Sequence, residues 1–299
     1  MTRGLIQLLP GTEVGRWTIE DKLGEGSFGV VYKVRDSTDQ YALKLEGIHV
    51  KIQVLKMEAF VLIELAKKGG RHFCKIEDKG RCGGFNYVVM TLVGRSLQDL
   101  LKELPDHHMS MGTAISVGIG YLHRDVKPSN YTIGRVELGE QRKIYILDFG
   151  MCRRFTNDQG FIRRPRVAAG FRGTVRYAPV SCHLQRELCR KDDIETWIYM
   201  LVELTTGNLP WKNIRDINFV GEYKLRCRNE DFFLELFCGC PYEFVEILRY
   251  VDSLKYYDTP NYRFIYSKMR QAIASTNLDE FPYDWEKPGM FRKPEIPTH

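Results

Sequence analysis

The chain has 299 residues, 43% hydrophobic, 27% charged and 12% aromatic, with 26 Gly and 12 Pro, the composition of an ordinary globule and not of a fibrous or low-complexity polymer. No stretch approaches the roughly 18 consecutive apolar residues of a membrane span, and the opening MTRGLIQLLPG lacks a secretory cleavage site, so an intracellular globule without membrane contact is expected. With 44 Lys and Arg against 38 Asp and Glu, net +6, the chain is only mildly basic, which favours solvated surface over nucleic-acid binding.

Residues 17–23, 30–35 and 40–46 alternate or run with β-branched and aromatic side chains between turn signals and read as strands. Residues 53–67 place Val54, Leu55, Met57, Phe60, Val61, Leu62, Ile63, Leu65 and Ala66 at helical spacing and stop at Gly69-Gly70. Two further strands are expected at 72–79 and 85–92, joined at Gly83-Gly84. From Ser96 onward helical patterns dominate, most clearly at 192–206 and 242–254. A β-rich lobe followed by a helix-rich lobe, pivoting near 92–94, is an α+β architecture. The eight cysteines are irregularly spaced with no C-x-x-C pair, and Cys238-Gly239-Cys240 lacks zinc partners. They read as reduced thiols of the cytoplasm, with the nucleus as a further compartment.

Four motifs carry chemistry. Gly24-Glu25-Gly26-Ser27-Phe28-Gly29 is a G-x-G-x-x-G followed by Val31. It lies between two expected strands, whereas a dinucleotide fingerprint needs a helix after its glycines. Bare glycine backbone lets amide groups approach phosphate oxygens. Tyr41-Ala42-Leu43-Lys44 then sets a lysine on an apolar strand, where an unpaired charge is costly. Glu58 on the following helix is its natural partner, and Glu64, near the helix end, is a less well placed one. In His123-Arg124-Asp125-Val126-Lys127-Pro128-Ser129-Asn130, Asp125 can accept or orient a hydroxyl proton. Lys127 can neutralise a transferring phosphoryl group, and Asn130 can ligate a hard cation. Leu147-Asp148-Phe149-Gly150 follows an apolar strand at 143–147. Phosphoryl transfer needs neutralised phosphates, an aligned hydroxyl and little covalent chemistry from the protein. The four motifs in this order describe a phosphotransferase site.

These motifs resemble the eukaryotic protein kinase signature set. The chain is most similar to the casein kinase I superfamily, nearest its tau-tubulin kinase-like branch, through Gln53-Val54-Leu55-Lys56-Met57-Glu58, Asn86-Tyr87-Val88-Val89-Met90, Phe171-Arg172-Gly173-Thr174-Val175-Arg176-Tyr177-Ala178, Leu209-Pro210-Trp211 and Asp284-Trp285-Glu286. The resemblance implies a bilobal kinase domain over 13–288, with an N-lobe at 13–92, a C-lobe at 93–288 and a short tail at 289–299. It implies that Gly24, Gly26 and Gly29 cover the phosphates of ATP, that Leu23, Val31 and Ala42 surround the nucleotide, and that Lys44 holds the phosphates and pairs with Glu58. Met90 corresponds to the gatekeeper, Thr91 and Leu92 to the adenine-binding hinge and Asp99 to the ribose contact. Asp125 is then the catalytic base beside Lys127, Asn130 and Asp148 hold Mg2+, and Thr174 bonds near Asp125 and Lys127. Asp193 is the structural aspartate of the helix beneath that loop. Lys127 supports Ser/Thr transfer.

Arg153, Arg154, Arg163, Arg164, Arg166, Arg172 and Arg176 crowd the stretch after Asp148. Guanidinium groups bind phosphate bidentately, so acidic or phosphorylated protein substrates are favoured over nucleic acid. Arg176 with Lys212 and Arg215 resembles the superfamily's anion site. Two departures stand out. Tyr177-Ala178-Pro179-Val180-Ser181 lacks the glutamate of the usual A-P-E element, so no ion pair is expected to brace that segment. The helix at 109–119 is about a dozen residues shorter than the family pattern, close to 18 Å at ~1.5 Å per residue. Two readings stay open: a monomeric Ser/Thr protein kinase using ATP and Mg2+, or an impaired pseudokinase or scaffold.

Overall fold

The computed structural model describes residues 7–26, 29–50, 53–104, 122–157, 159–276 and 279–287. They divide into two compact units, one drawn from Met1–Arg95 and Tyr131–Cys152, the other from Ser96–Asn130 and Arg153–His299. The shortened helix expected at 109–119 and the tail at 289–299 lie outside the described residues, as do Ser27 and Phe28 of the glycine motif.

The first unit is built on a six-stranded antiparallel sheet of β1 (Glu13–Val14), β2 (Trp17–Gly26), β3 (Gly29–Arg35), β4 (Gln40–Gly47), β5 (Ile76–Cys82) and β6 (Phe85–Thr91), in the order β1-β2-β3-β4-β6-β5. Val30, Tyr32 and Val34 alternate along β3 into one core with Trp17, Ile19, Leu43, Leu45 and Val89, the period of two that reads as a strand. Helix α1 (Leu55–Lys67) follows β4 and buries Leu55, Glu58, Ala59, Val61 and Leu62. The strand expected from residue 72 begins only at Ile76. Its first residues are diverted, because the Ile146 amide donates to the His72 carbonyl at 2.9 Å and Phe73 bridges to Ile146.

That diversion joins a second ribbon to this unit, β7 (Tyr131–Ile133) against β8 (Ile144–Ile146). The Gly94 amide donates to the Ile133 carbonyl at 2.9 Å, and the Ile133 amide to that of Arg95 at 3.0 Å. Arg135 adds a two-oxygen contact to Asp39 at 3.1 and 3.2 Å. Asp148 therefore belongs to the same unit as the sheet, although its position in the chain lies well past the expected pivot.

The second unit is helical: α2 (Leu97–Glu103), α3 (Val180–His183), α4 (Arg190–Thr206), α5 (Ile217–Arg226), α6 (Glu230–Phe237), α7 (Tyr242–Ser253) and α8 (Tyr262–Thr276). Helix α4 is buried on nearly every side from Asp192 to Thr205. It packs against α7, which packs against α8. The helix ends are locally encoded. Asp216 accepts the Asn218 and Phe219 amides at 2.8 and 2.9 Å to start α5, and Gly207, at φ 71°, closes α4. Among the described residues no helix is long and apolar enough to cross a membrane.

Candidate functional site

The residues singled out in the sequence fall into two constellations, one in each unit. In the first, β2 and β3 form the glycine hairpin, with Gly24 opposite Val31 and Gly26 opposite Gly29. Gly29 is required by the fold itself. At φ 146°, a Cβ there would lie 2.0 Å from the Leu45 carbonyl oxygen. At Gly24 and Gly26 a Cβ would meet nothing within 4 Å among the described residues. Packing among those residues does not ask for glycine at the two positions, which suits backbone left bare for a phosphate.

Lys44 lies in β4 opposite Val31, and its Nζ is 2.6 Å from Glu58 Oε2 and 3.6 Å from Asp148 Oδ1. Burial pulls the ammonium's pKa down, but Glu58 and Asp148 together outweigh it and hold the group above its ordinary value. Glu64, the alternative partner, turns to Lys67 at 2.8 Å. Asp148 caps the 3-10 turn Phe149–Met151 at φ 62°, and Phe149 is buried edge-on to Phe73 at 5.5 Å. A left-handed backbone is uncommon for residues other than glycine. Of the three such residues described, Arg124, Asp148 and Gln185, two fall in the chemical motifs. Met90 is buried opposite Ala42. Thr91 spends its amide on the Lys75 carbonyl at 3.0 Å, Leu92 is half-buried and Leu23 is exposed.

Asp99 is not among these residues: it belongs to the second unit. There it opens α2, where Ser96 Oγ donates to its Oδ2 at 2.6 Å and Lys102 pairs with its Oδ1 at 3.0 Å.

The second constellation centres on Asp125, which is 4% exposed. Lys127 Nζ lies 2.7 Å from its Oδ2, and the Thr174 hydroxyl donates to its Oδ1 at 2.8 Å. Lys127 also donates to the Thr174 oxygen at 3.2 Å. Asn130 donates its amide nitrogen to the Asp125 carbonyl at 2.9 Å, which leaves its oxygen as the atom able to bind a cation. Asp193 on α4 holds the loop from below. Its two oxygens accept the amides of His123 and of Arg124, the latter at 2.8 Å, and burial pushes its pKa up to about 7. Gly173, at φ 92°, lets the later segment close on this loop, since a Cβ would come within 2.7 Å of the Arg124 carbonyl oxygen.

The arginine-rich stretch is less free than its composition suggests. Arg153 and Arg166 both pair with the buried carboxylate of Glu187. The two guanidinium groups outweigh burial and hold that carboxyl's pKa below its usual range. Arg176 pairs with Glu203 at 2.9 Å and donates to the Lys212 carbonyl at 3.4 Å. The structure thus brings Arg176 and Lys212 together but shares the Arg176 charge with a carboxylate, while Lys212 and Arg215 are exposed. The segment lacking an A-P-E glutamate is braced after all. Glu195 on α4 accepts the Val180 amide at 2.9 Å and pairs with Arg228 at 2.7 Å.

Sequence reasoning missed Glu46, Glu187, Glu195, Glu203 and Lys224, all buried. Glu195 and Glu203 carried a faint signal, as acidic residues inside an otherwise apolar helical run. Glu46 and Lys224 carried none, because their partners are defined only by the fold.

Residues 17–232 match the protein kinase domain. A serine/threonine-protein kinase of Dictyostelium discoideum is 36% identical over 287 residues, 91% of this chain, which spans 57% of that relative's length. The Caenorhabditis elegans serine/threonine-protein kinase spe-6 is 36% identical over 91% of the chain and 76% of its own length. A C. elegans protein named for casein kinase I is 30% identical over 94% of the chain and 86% of its own, a more distant likeness. The chain belongs to the serine/threonine protein kinase family.

Proposed function

We propose that the chain is a catalytically competent serine/threonine protein kinase, transferring the γ-phosphoryl group of ATP to hydroxyls of acidic or already phosphorylated proteins. The observation that carries this reading is the clamp on Asp125. A buried carboxylate held by Lys127, the Thr174 hydroxyl and a loop hung from Asp193 is oriented before any substrate arrives, and preorganised polar groups are the main source of catalysis in such transfers. Asp125 receives or orients the acceptor hydroxyl proton, and Lys127 offsets charge on the transferring group. Lys44, kept charged and aimed by Glu58, binds the nucleotide phosphates beneath the bare glycine hairpin.

Asn130 in the helical unit and Asp148 in the sheet unit each carry an oxygen donor of the kind a magnesium ion prefers, and such an ion would supply neutralisation of phosphate charge. Exposed Lys212 and Arg215, with the partly shared Arg176, support an acidic or primed acceptor. The tau-tubulin kinase-like branch is our finer reading within the family. The case for an impaired pseudokinase rests on the helix at 109–119, outside the described residues, and no described feature favours it.

Asp125→Asn tests the reading. Transfer of labelled phosphate to casein falls by about a thousandfold, within the range for removing an acid–base group together with its electrostatic role, while ATP affinity is retained. Undiminished turnover in this variant refutes the assignment.

A further inference from the structure

Lys224, in the last turn of α5, is 0% exposed, yet no carboxylate lies within hydrogen-bond reach of it among the described residues. Its Nζ donates to the Val175 carbonyl at 2.8 Å and the Ala178 carbonyl at 2.6 Å, and lies 3.2 Å from His183 Nε2. His183 Nδ1 is 2.9 Å from the Ile217 carbonyl. A carbonyl cannot donate, so the proton sits on Nδ1 and Nε2 is an acceptor. Three acceptors thus meet the three donors of an ammonium group. The rings of Tyr199 and Trp211, centred 5.1 and 5.2 Å away, complete the enclosure. Burial drives the lysine pKa down to about 7, so the group is kept there at a cost. Gly221 makes the reach possible, because a Cβ there would come 2.8 Å from that of His183.

The two carbonyls bracket a turn with a specific neighbour. Thr174 begins it, its carbonyl accepting the amides of both Tyr177 and Ala178 at 2.9 Å, while its hydroxyl holds Asp125. Arg228, one helical turn beyond Lys224, continues the attachment through Glu195 to the Val180 amide.

We propose that Lys224 is a positioning residue for the phosphoacceptor side of the reaction, fixing the turn at 174–178 from the end of α5. The Thr174 hydroxyl is thereby set against Asp125, and the backbone that an acceptor segment meets is held in place. The proposal rests on the kinase reading above.

The full chain carrying Lys224→Met, a near-isosteric apolar replacement, is compared with Lys224→Arg and wild type. Steady-state kinetics use ATP and a serine peptide flanked by aspartates, and amide exchange is followed at Tyr177, Ala178 and Val180. In Lys224→Met, kcat falls about tenfold or more, as expected for a misplaced catalytic neighbour. KM for ATP stays within about twofold, because the nucleotide-side contacts are untouched. Exchange protection of the three amides is lost while that of β3 and β4 is kept, and Lys224→Arg recovers part of both effects. Unchanged kcat and protection in Lys224→Met overturn the proposal. So does a uniform loss of protection with a matching rise in KM for ATP, which would mark general destabilisation. If wild type itself transfers no phosphate, the kinase reading fails, whereas the exchange data still decide whether Lys224 holds the turn.

Discussion

Glu46 offers the sharpest test of how the sheet aims its catalytic helix. It lies in β4 two residues beyond Lys44 and is 1% exposed. Its Oε1 accepts the amides of Val54 and Leu55 at 2.7 and 3.1 Å, the first free donors of α1, whose N-cap residue has no capping side chain of its own. A carboxylate at that end also meets the positive pole of the helix. Glu46→Leu leaves two buried amides without a partner, at about 1–3 kcal/mol each. Part of this is offset, because Glu46 Oε2 is itself buried without a hydrogen-bond partner among the described residues and its desolvation is relieved. A net loss of about 2–4 kcal/mol follows. Glu46→Gln keeps one acceptor and loses only the charge assistance, about 1–2 kcal/mol. The Glu58 amide bonds to the Val54 carbonyl at 2.9 Å, so loosening this turn also loosens the carboxylate that aims Lys44, and KM for ATP rises in the same order. Urea denaturation measures the first effect and steady-state kinetics the second. An unfolding free energy for Glu46→Leu within about 0.5 kcal/mol of wild type, the range of neutral surface changes, refutes the reasoning.

Other outcomes follow from the same geometry. Thr174→Val preserves shape but removes the hydroxyl between Asp125 and Lys127. The lost charge-assisted bond lowers kcat by about 10- to 100-fold, Thr174→Ser restores it, and KM for ATP is the control. His183 is pushed down to about 4 from an ordinary 6.5, by burial first and the Lys224 charge second. The unfolded chain therefore binds the extra proton at this site through that window, so the His183 contribution to stability is full above 6.5 and is lost as pH falls toward 4, opposite in sign to that of Asp193. Between pH 6.5 and 4 the urea midpoint of wild type loses ground relative to that of His183→Gln, and parallel slopes in the two proteins would contradict the assignment. Arg215→Glu, at an exposed site, raises KM for a phosphoserine-primed peptide more than for its unprimed form, and equal changes in a peptide assay would remove Arg215 from the anion site.

Much of the architecture was readable along the chain. Alternation in β3 and β4, the helical spacing of α1 and α7, and the glycines between β2 and β3 are local patterns, because backbone geometry repeats every two or 3.6 residues. The pairing of Lys44 with Glu58 rather than Glu64 was legible too, since a buried strand lysine selects the carboxylate that the helix turns inward. Helix α4 shows where such reading stops. Its Asp193 serves the loop at 123–124, while Glu195 and Glu203 both serve the stretch at 176–180, and no periodicity within the helix says which.

Composition, order and spacing were enough to specify a β-rich unit, a helical unit and four phosphotransfer motifs, because each of these is written within a few residues. Tertiary structure alone decided that the ribbon before Asp148 belongs to the unit of the six-stranded sheet, that Glu46 starts α1, that Glu203 shares the charge of Arg176, and that Lys224 closes the turn behind Thr174. The last three have one physical reason. A buried charge is tolerated only where donors and acceptors surround it, and here those partners come from residues such as Val175, 49 positions away from Lys224. The 299 residues name the chemistry through their motifs, and the fold determines which of the 44 basic and 38 acidic side chains are spent holding it in place.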